Sequence, residues 1–285
     1  MQGCAGRQAS EAQYDLPHVR RLHERAEGRN DLWVLSAGFI LQTATRGNET
    51  QTTQERAGGV EMIYFFADSH YGVNPGKHIF ERLDASLRKR ITFTEDSWEL
   101  LESGRWVDDC ELLVLNMIAG TCGQPMPGSG AEKSVRMYCE RGGNILLLHG
   151  SSAAFWEWPW WREIVGLRWV RPNDPDGVAA STHPVKAYKV VPAKTRHSLA
   201  GKLIEMDFEC DEIYINLEQT ASSMVLMTTH IDEGTFPQCC ETVSKWGGKI
   251  VSFIPGHKPE ATTKKELICN IETIIKYLLK GSENE

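Results

Sequence analysis

No apolar run in this chain approaches the ~20 residues that a helix needs to cross a bilayer, so no membrane span is expected. No block of lysine and arginine exceeds three residues and the net charge is -7, which argues against a nucleic-acid partner. None of the eight cysteines forms a Cys-x-x-Cys pair, and several lie in apolar patterns where cysteine acts as a small hydrophobe. A reduced, cytoplasmic protein is the expectation. The first 20 residues lack the apolar core of a secretory signal. No Gly-x-Gly-x-x-Gly follows a strand and no glycine-rich loop ends in Gly-Lys-Ser, so neither NAD nor ATP is implied.

The 285 residues that remain suffice for one large α/β domain or two small ones, with a core that needs no staples. Residues 1–60 read differently from the rest. They are rich in Arg, Glu, Gln and Gly around one short apolar run at 32–41, and polar again over 43–59. The expectation is an N-terminal extension, partly disordered or not native to the domain, with Met62 as the native start; an accessory arm is the alternative. From residue 61 to 285 the rhythm is that of one α/β domain. Strands are expected at 62–67, 91–94, 111–116, 145–148, 187–191, 212–217, 223–229 and 248–254. Helices are expected at 77–88, 97–101, 131–141 and 264–279, the last with Leu267, Ile268, Ile271, Ile274, Ile275 and Leu278 on one face.

Five polar clusters sit where such strands end, and open α/β sheets place working residues there. Ile145 to Leu148 runs into His149-Gly150, where glycine lets backbone amides approach a ligand. A histidine suits acid, base or ligand work near neutral pH better than nucleophilic attack. Asp68-Ser69-His70 closes the first strand. His183 precedes Pro184, which restricts its backbone to extended conformations. Asp211-Glu212-Ile213-Tyr214 alternates, so Glu212 and Tyr214 share a face and Asp211 takes the other. Gly256-His257 follows the last strand. Each has a plainer role as well: loop hydrogen bonding for His70 and His78, a surface loop for His197, a solvated edge for Asp211 and Glu212. Five of the nine tryptophans lie between Trp156 and Trp169. They wall a pocket near His149, cover an interface, or form core, and the pocket wall is the first expectation.

In this order and spacing, Asp68-Ser69-His70, Gly142-Gly143 through His149-Gly150, Thr182-His183-Pro184, Asp211-Glu212-Ile213-Tyr214 and Gly248 through His257 resemble the ThuA-like family, named for trehalose utilisation. The resemblance covers roughly residues 62–280. It implies a flavodoxin-like three-layer α/β/α sandwich similar to class I glutamine amidotransferases. His149 falls where those enzymes carry a cysteine nucleophile, so their chemistry is not implied. Residues 1–60 and the tryptophan-rich stretch depart from the family pattern. The expected function is a lyase or hydrolase acting on a disaccharide or keto-sugar. His149 or His183 would act as acid or base, Glu212 as the opposite partner, and Tyr214 would orient a hydroxyl. His70, Asp211, Trp156 and His257 would bind substrate, and the histidines with a carboxylate could hold a divalent metal such as Zn2+. The alternatives are a non-catalytic carbohydrate-binding or regulatory domain of the same fold, and a hydrolase using Ser151 or Cys122. The expected partner is a small carbohydrate, and a homo-oligomer is compatible with the sequence.

Overall fold

The computed structural model describes residues 62–280 except Tyr71, Cys122, Asn173 and Ala221. The extension expected over residues 1–60 therefore lies outside the described residues, as does Cys122. The apolar run Ile63-Tyr64-Phe65-Phe66 forms β1 (Met62–Ala67), buried on both faces as central parallel strands are. It is followed by α1 (Pro75–Arg82), α2 (Ala85–Arg88), β2 (Ile91–Glu95), α3 (Glu99–Ser103), β3 (Cys110–Asn116), α4 (Ser129–Glu140), β4 (Asn144–Leu148) and α5 (Pro159–Ile164). Then come β5 (Leu167–Arg168), β6 (Val185–Pro192), β7 (Met206–Glu212), β8 (Glu218–Gln219), β9 (Met224–Ile231), β10 (Gly234–Val243), β11 (Lys249–Phe253), α6 (Pro259–Thr262) and α7 (Lys265–Lys280).

Nine strands form one sheet in the order β2-β1-β3-β4-β11-β10-β9-β6-β7. The first five are parallel. Counting β11 as the fifth, their order is the 2-1-3-4-5 of flavodoxin-like sheets, so the expected architecture is what forms. Alternation along each strand feeds two cores. Ile63, Phe65, Leu112, Val114, Leu146 and Val251 pack under α1, α2 and α7. Tyr64, Phe66, Leu113, Leu115, Ile145 and Leu147 pack under α4 and α5, with Trp106 sealing that side. Among the described residues no helix is long and apolar enough to cross a membrane.

The single helix expected over 77–88 is two. Asp84 leaves helical geometry and its carboxylate accepts the Ser86 N–H at 2.8 Å, starting α2. Asp84→Ala should cost about 1 kcal/mol in urea unfolding. A midpoint that does not move would show that α2 is held by packing alone.

The remaining four strands extend the sheet antiparallel, and they decide where the site lies. Each pair from β11 through β10, β9 and β6 to β7 is antiparallel. Going outward, direction therefore alternates, and β7 points the same way as β11. Its last residue, Glu212, ends at the edge where the parallel strands end. β6 starts from that same edge, two residues after His183. Register shifts at Gln238 in β10 and at Ala187 in β6 mark bulges, which bend and twist strands. The buried Gln238 ties the bend down: its side-chain NH2 donates to the Tyr214 carbonyl at 3.0 Å, and its backbone carbonyl accepts from Ile254 N–H. β10 is not among the strands expected from sequence; its Pro237, which cannot donate to the ladder, sits where the bulge begins. The strand expected over 212–217 instead ends at Glu212, and only Ile215 continues, bridging to Thr182.

Candidate functional site

β1 delivers Asp68 and His70, β4 delivers His149, β11 delivers His257, β7 delivers Glu212, and the strap before β6 delivers His183. The structure brings five of these six side chains into one crevice, and Asp68 braces it from beneath. His149 Nε2 lies 3.0 Å from His257 Nδ1 and 3.9 Å from Glu212 Oε2. Glu212 Oε1 lies 3.6 Å from His257 Nε2 and 3.5 Å from His183 Nδ1. The His70 ring centroid lies 5.9 Å from that of His149 and 6.5 Å from that of His257. Tyr214 packs on His149 at 4.5 Å and on Trp169 at 4.8 Å, and Trp169 reaches His183 at 5.4 Å. His149 and His70 are buried, His257 and Glu212 partly so, and His183 is exposed at the mouth.

Hydrogen bonds fix two of the rings. His149 Nδ1 donates to the Ile254 carbonyl at 2.9 Å, which leaves Nε2 as a lone pair facing the crevice. His70 Nδ1 lies 2.7 Å from Asp68 Oδ1 and 3.1 Å from the Asp68 carbonyl. Its Nε2 is buried with no hydrogen-bond partner among the described residues. Both histidines also have positive φ, 45° for His70 and 42° for His149. Such backbone costs of order 1–3 kcal/mol for a residue with a Cβ and gathers at functional sites.

Electrostatics follow from burial and neighbours. Burial pulls the His149 pKa down to about 3, helped by His257 and opposed by Glu212. Burial likewise lowers His257, against Glu212 and Asp211. For Glu212, burial works upward, yet the His183 contact and the charges of His149, His257 and His183 prevail and hold it at about 2. His183 is raised by its contact with Glu212. At neutral pH the floor is thus two neutral imidazoles beside a carboxylate, the protonation states that metal ligation requires. One ligand atom from each of His149, Glu212 and His257 lies within 4.8 Å of the other two.

Other expected residues lie elsewhere or act differently. Asp211 does not face the crevice. Its buried carboxylate accepts the backbone N–H of His257 at 3.1 Å and of Lys258 at 2.9 Å, clamping the loop that presents His257. Burial raises its pKa. Trp156 also stands apart: the Arg168 and Arg171 guanidinium carbons lie over its ring at 4.5 and 4.8 Å. It lines a separate cavity of about 270 Å³ with Phe155, Trp161 and Arg168. Trp158, Trp160 and Trp161 are core. The aromatic wall of the histidine crevice is Trp169 with Tyr214, and nothing in the spacing of Trp169 singled it out. Ser151 is buried and its Oγ accepts the Met117 N–H at 3.1 Å, the work of a brace between β3 and β4 rather than a nucleophile. His78 contacts Thr262 at 3.4 Å and His197 contacts Glu241 at 3.2 Å, both outside the cluster.

A family model described as trehalose utilisation, ThuA, matches residues 63–277. No curated protein matches the chain in sequence. Among solved structures, a ThuA-like protein from Parabacteroides merdae superposes with a TM-score of 0.61 at 15% identity, covering 77% of this chain and 90% of that one. A ThuA-like protein from Bacteroides uniformis superposes with a TM-score of 0.57 at 12% identity, covering 80% and 95%. At these identities the likeness speaks to the fold.

Proposed function

Since the chain belongs to the ThuA family, described by trehalose utilisation, we propose that its crevice is the active site of a lyase or hydrolase that acts on a disaccharide or keto-sugar. The observation that carries this reading is the convergence of His149, His183, His257 and Glu212 from four separate segments. A scaffold gains nothing from placing two strained histidines and a partly buried carboxylate at the carboxyl edge of its sheet.

The roles follow from position. His183, exposed at the mouth and backed by Glu212, can pass a proton to or from a bound sugar. Glu212 orients the His183 ring and offsets the positive charge that ring gains, as the third member of a nucleophile–base–carboxylate triad does. The Trp169 and Tyr214 rings offer a flat apolar wall for a pyranose face. In a keto-sugar the hydrogen on the carbon beside the ketone is acidic. Its removal by a base and departure of the glycosidic oxygen with a proton cleave the disaccharide by elimination, and water addition completes a hydrolysis. Both steps are proton transfers at the kind of position His183 occupies.

The test is product release from trehalose, and from its oxidised keto form, by the purified protein. His183→Gln should lower kcat by about 10²-fold while the melting curve stays put, because His183 is exposed. Saccharide binding without turnover would make the protein a binding domain and sink the enzymatic reading. Absence of both would sink the carbohydrate assignment.

A further inference from the structure

The geometry points to a divalent first-row transition cation bound by His149, His257 and Glu212, on the floor of the crevice just described. This deepens that reading and rests on it for the substrate, though not for the site. The argument begins with lone pairs. Ile254 O can only accept, so His149 Nδ1 carries the hydrogen, and in the neutral ring Nε2 is the bare lone pair. Its neighbour at 3.0 Å, His257 Nδ1, must then either donate to it or share a cation with it. If it donates, His257 Nε2 is itself a bare lone pair, facing Glu212 Oε1 at 3.6 Å. The other Glu212 oxygen faces the His149 lone pair at 3.9 Å. A lone pair and a carboxylate then face each other in a partly buried space with no hydrogen between them. A cation shared by His149 Nε2 and His257 Nδ1 instead leaves the hydrogen on His257 Nε2, facing Glu212 Oε1, and Glu212 Oε2 is free to join the ion.

The donor chemistry and the surroundings favour a metal ion. Two imidazoles and a carboxylate with room left over is a set used by catalytic zinc and by non-haem iron. Bonds of about 2.0–2.2 Å place neighbouring ligand atoms about 3–3.5 Å apart, close to the 3.0 Å between His149 Nε2 and His257 Nδ1, and Glu212 Oε2 lies 3.9 Å from that same His149 nitrogen. The outer partners are those of a built site. His149 donates its far N–H to a backbone carbonyl, which sets the tautomer. Asp211 clamps the backbone on which His257 stands. His70, with its buried unpartnered Nε2, lies against the same two rings. A bound cation supplies a Lewis acid for a sugar carbonyl or hydroxyl oxygen. His183 stays outside the ligand set, at the mouth.

Metal content of the full-length chain, measured by inductively coupled plasma mass spectrometry before any chelator, should be about one ion per chain. After chelation, calorimetric titration with Zn2+ should show one tight site. Loss of an outer-shell partner alone costs about 10–100-fold in affinity, so His257→Ala and Glu212→Gln should each weaken Zn2+ by more than about 100-fold. Glu212→Gln keeps the side-chain volume and guards against a variant that merely fails to fold; His183→Gln should retain the ion. No binding by the wild type, or affinities unchanged in both ligand variants, would overturn the site and leave a proton on His257 as the occupant. Full sugar turnover by the chelated protein would overturn the metal while sparing the carbohydrate reading. A tightly held ion in a protein inert toward every saccharide would uphold the metal and sink that reading instead.

Discussion

Glu212→Gln is expected to lower kcat/KM on the sugar substrate by about 10³–10⁴-fold, the upper part of the range for loss of positioned acid–base function. The physical reason is its place among the rings. One oxygen lies 3.5 Å from His183 and 3.6 Å from His257, and the other lies 3.9 Å from His149. An amide keeps the volume and removes the charge. His183 then loses the group that holds its proton and fixes its ring. His149 and His257 lose the carboxylate that faces both rings. The variant should still fold, because Glu212 ends an edge strand and is partly exposed.

A double variant separates this from general damage. Residues that act as one unit lose their function once, so Glu212→Gln combined with His183→Gln should be little slower than Glu212→Gln alone. Two multiplicative losses would mean that the residues act independently, and the pairing argued here would fail. Activity of Glu212→Gln within tenfold of wild type would remove the carboxylate from the chemistry altogether.

Much of the parallel half of the fold was legible in the sequence because its strands are buried on both faces. β1, β3, β4 and β11 each read as a short apolar run with a glycine or a polar end. The strand-end histidines were legible for the same reason: an abrupt polar residue after such a run marks the carboxyl edge. Their convergence was not. It depends on the bulge at Gln238 and on the alternating directions of β10, β9, β6 and β7, which no local pattern encodes. The alternation of Asp211 and Glu212 was readable. The role of Asp211 was not, because its partners are backbone N–H groups some 46 residues away. The density of aromatics points to Trp156 as a wall near His149, yet its ring lies under Arg168 and Arg171 instead. Its neighbours Trp158, Trp160 and Trp161 fill the core, and the wall comes from Trp169 beyond them.

Gly150→Ala should destabilise the fold by about 3 kcal/mol, at the high end for an overpacked site, and lower the melting temperature by roughly 6–12 °C for a domain of this size. A Cβ on Gly150 would lie 2.3 Å from His70 Nε2 and 2.3 Å from the Ile118 Cγ2 methyl. Neither neighbour can give way cheaply. His70 is held through Nδ1 by Asp68, and the other Asp68 oxygen accepts the Ile118 N–H at 2.7 Å. One carboxylate therefore anchors both obstacles, and moving either breaks its bonds. The residue before Gly150 is His149 and the residue after is Ser151, whose Oγ holds the Met117 N–H. Displacement of the backbone would shift the histidine that floors the crevice, so activity should fall along with stability. Circular dichroism melts read the first effect. His70→Ala removes the nearest ring atoms, so a double-mutant cycle with Gly150→Ala should show a favourable coupling of about 0.5–3 kcal/mol. A coupling near zero, or an unchanged melting temperature for Gly150→Ala, would mean that the crevice has slack at this point. The close approach of His70 to the end of β4 would then be incidental to how the site is built.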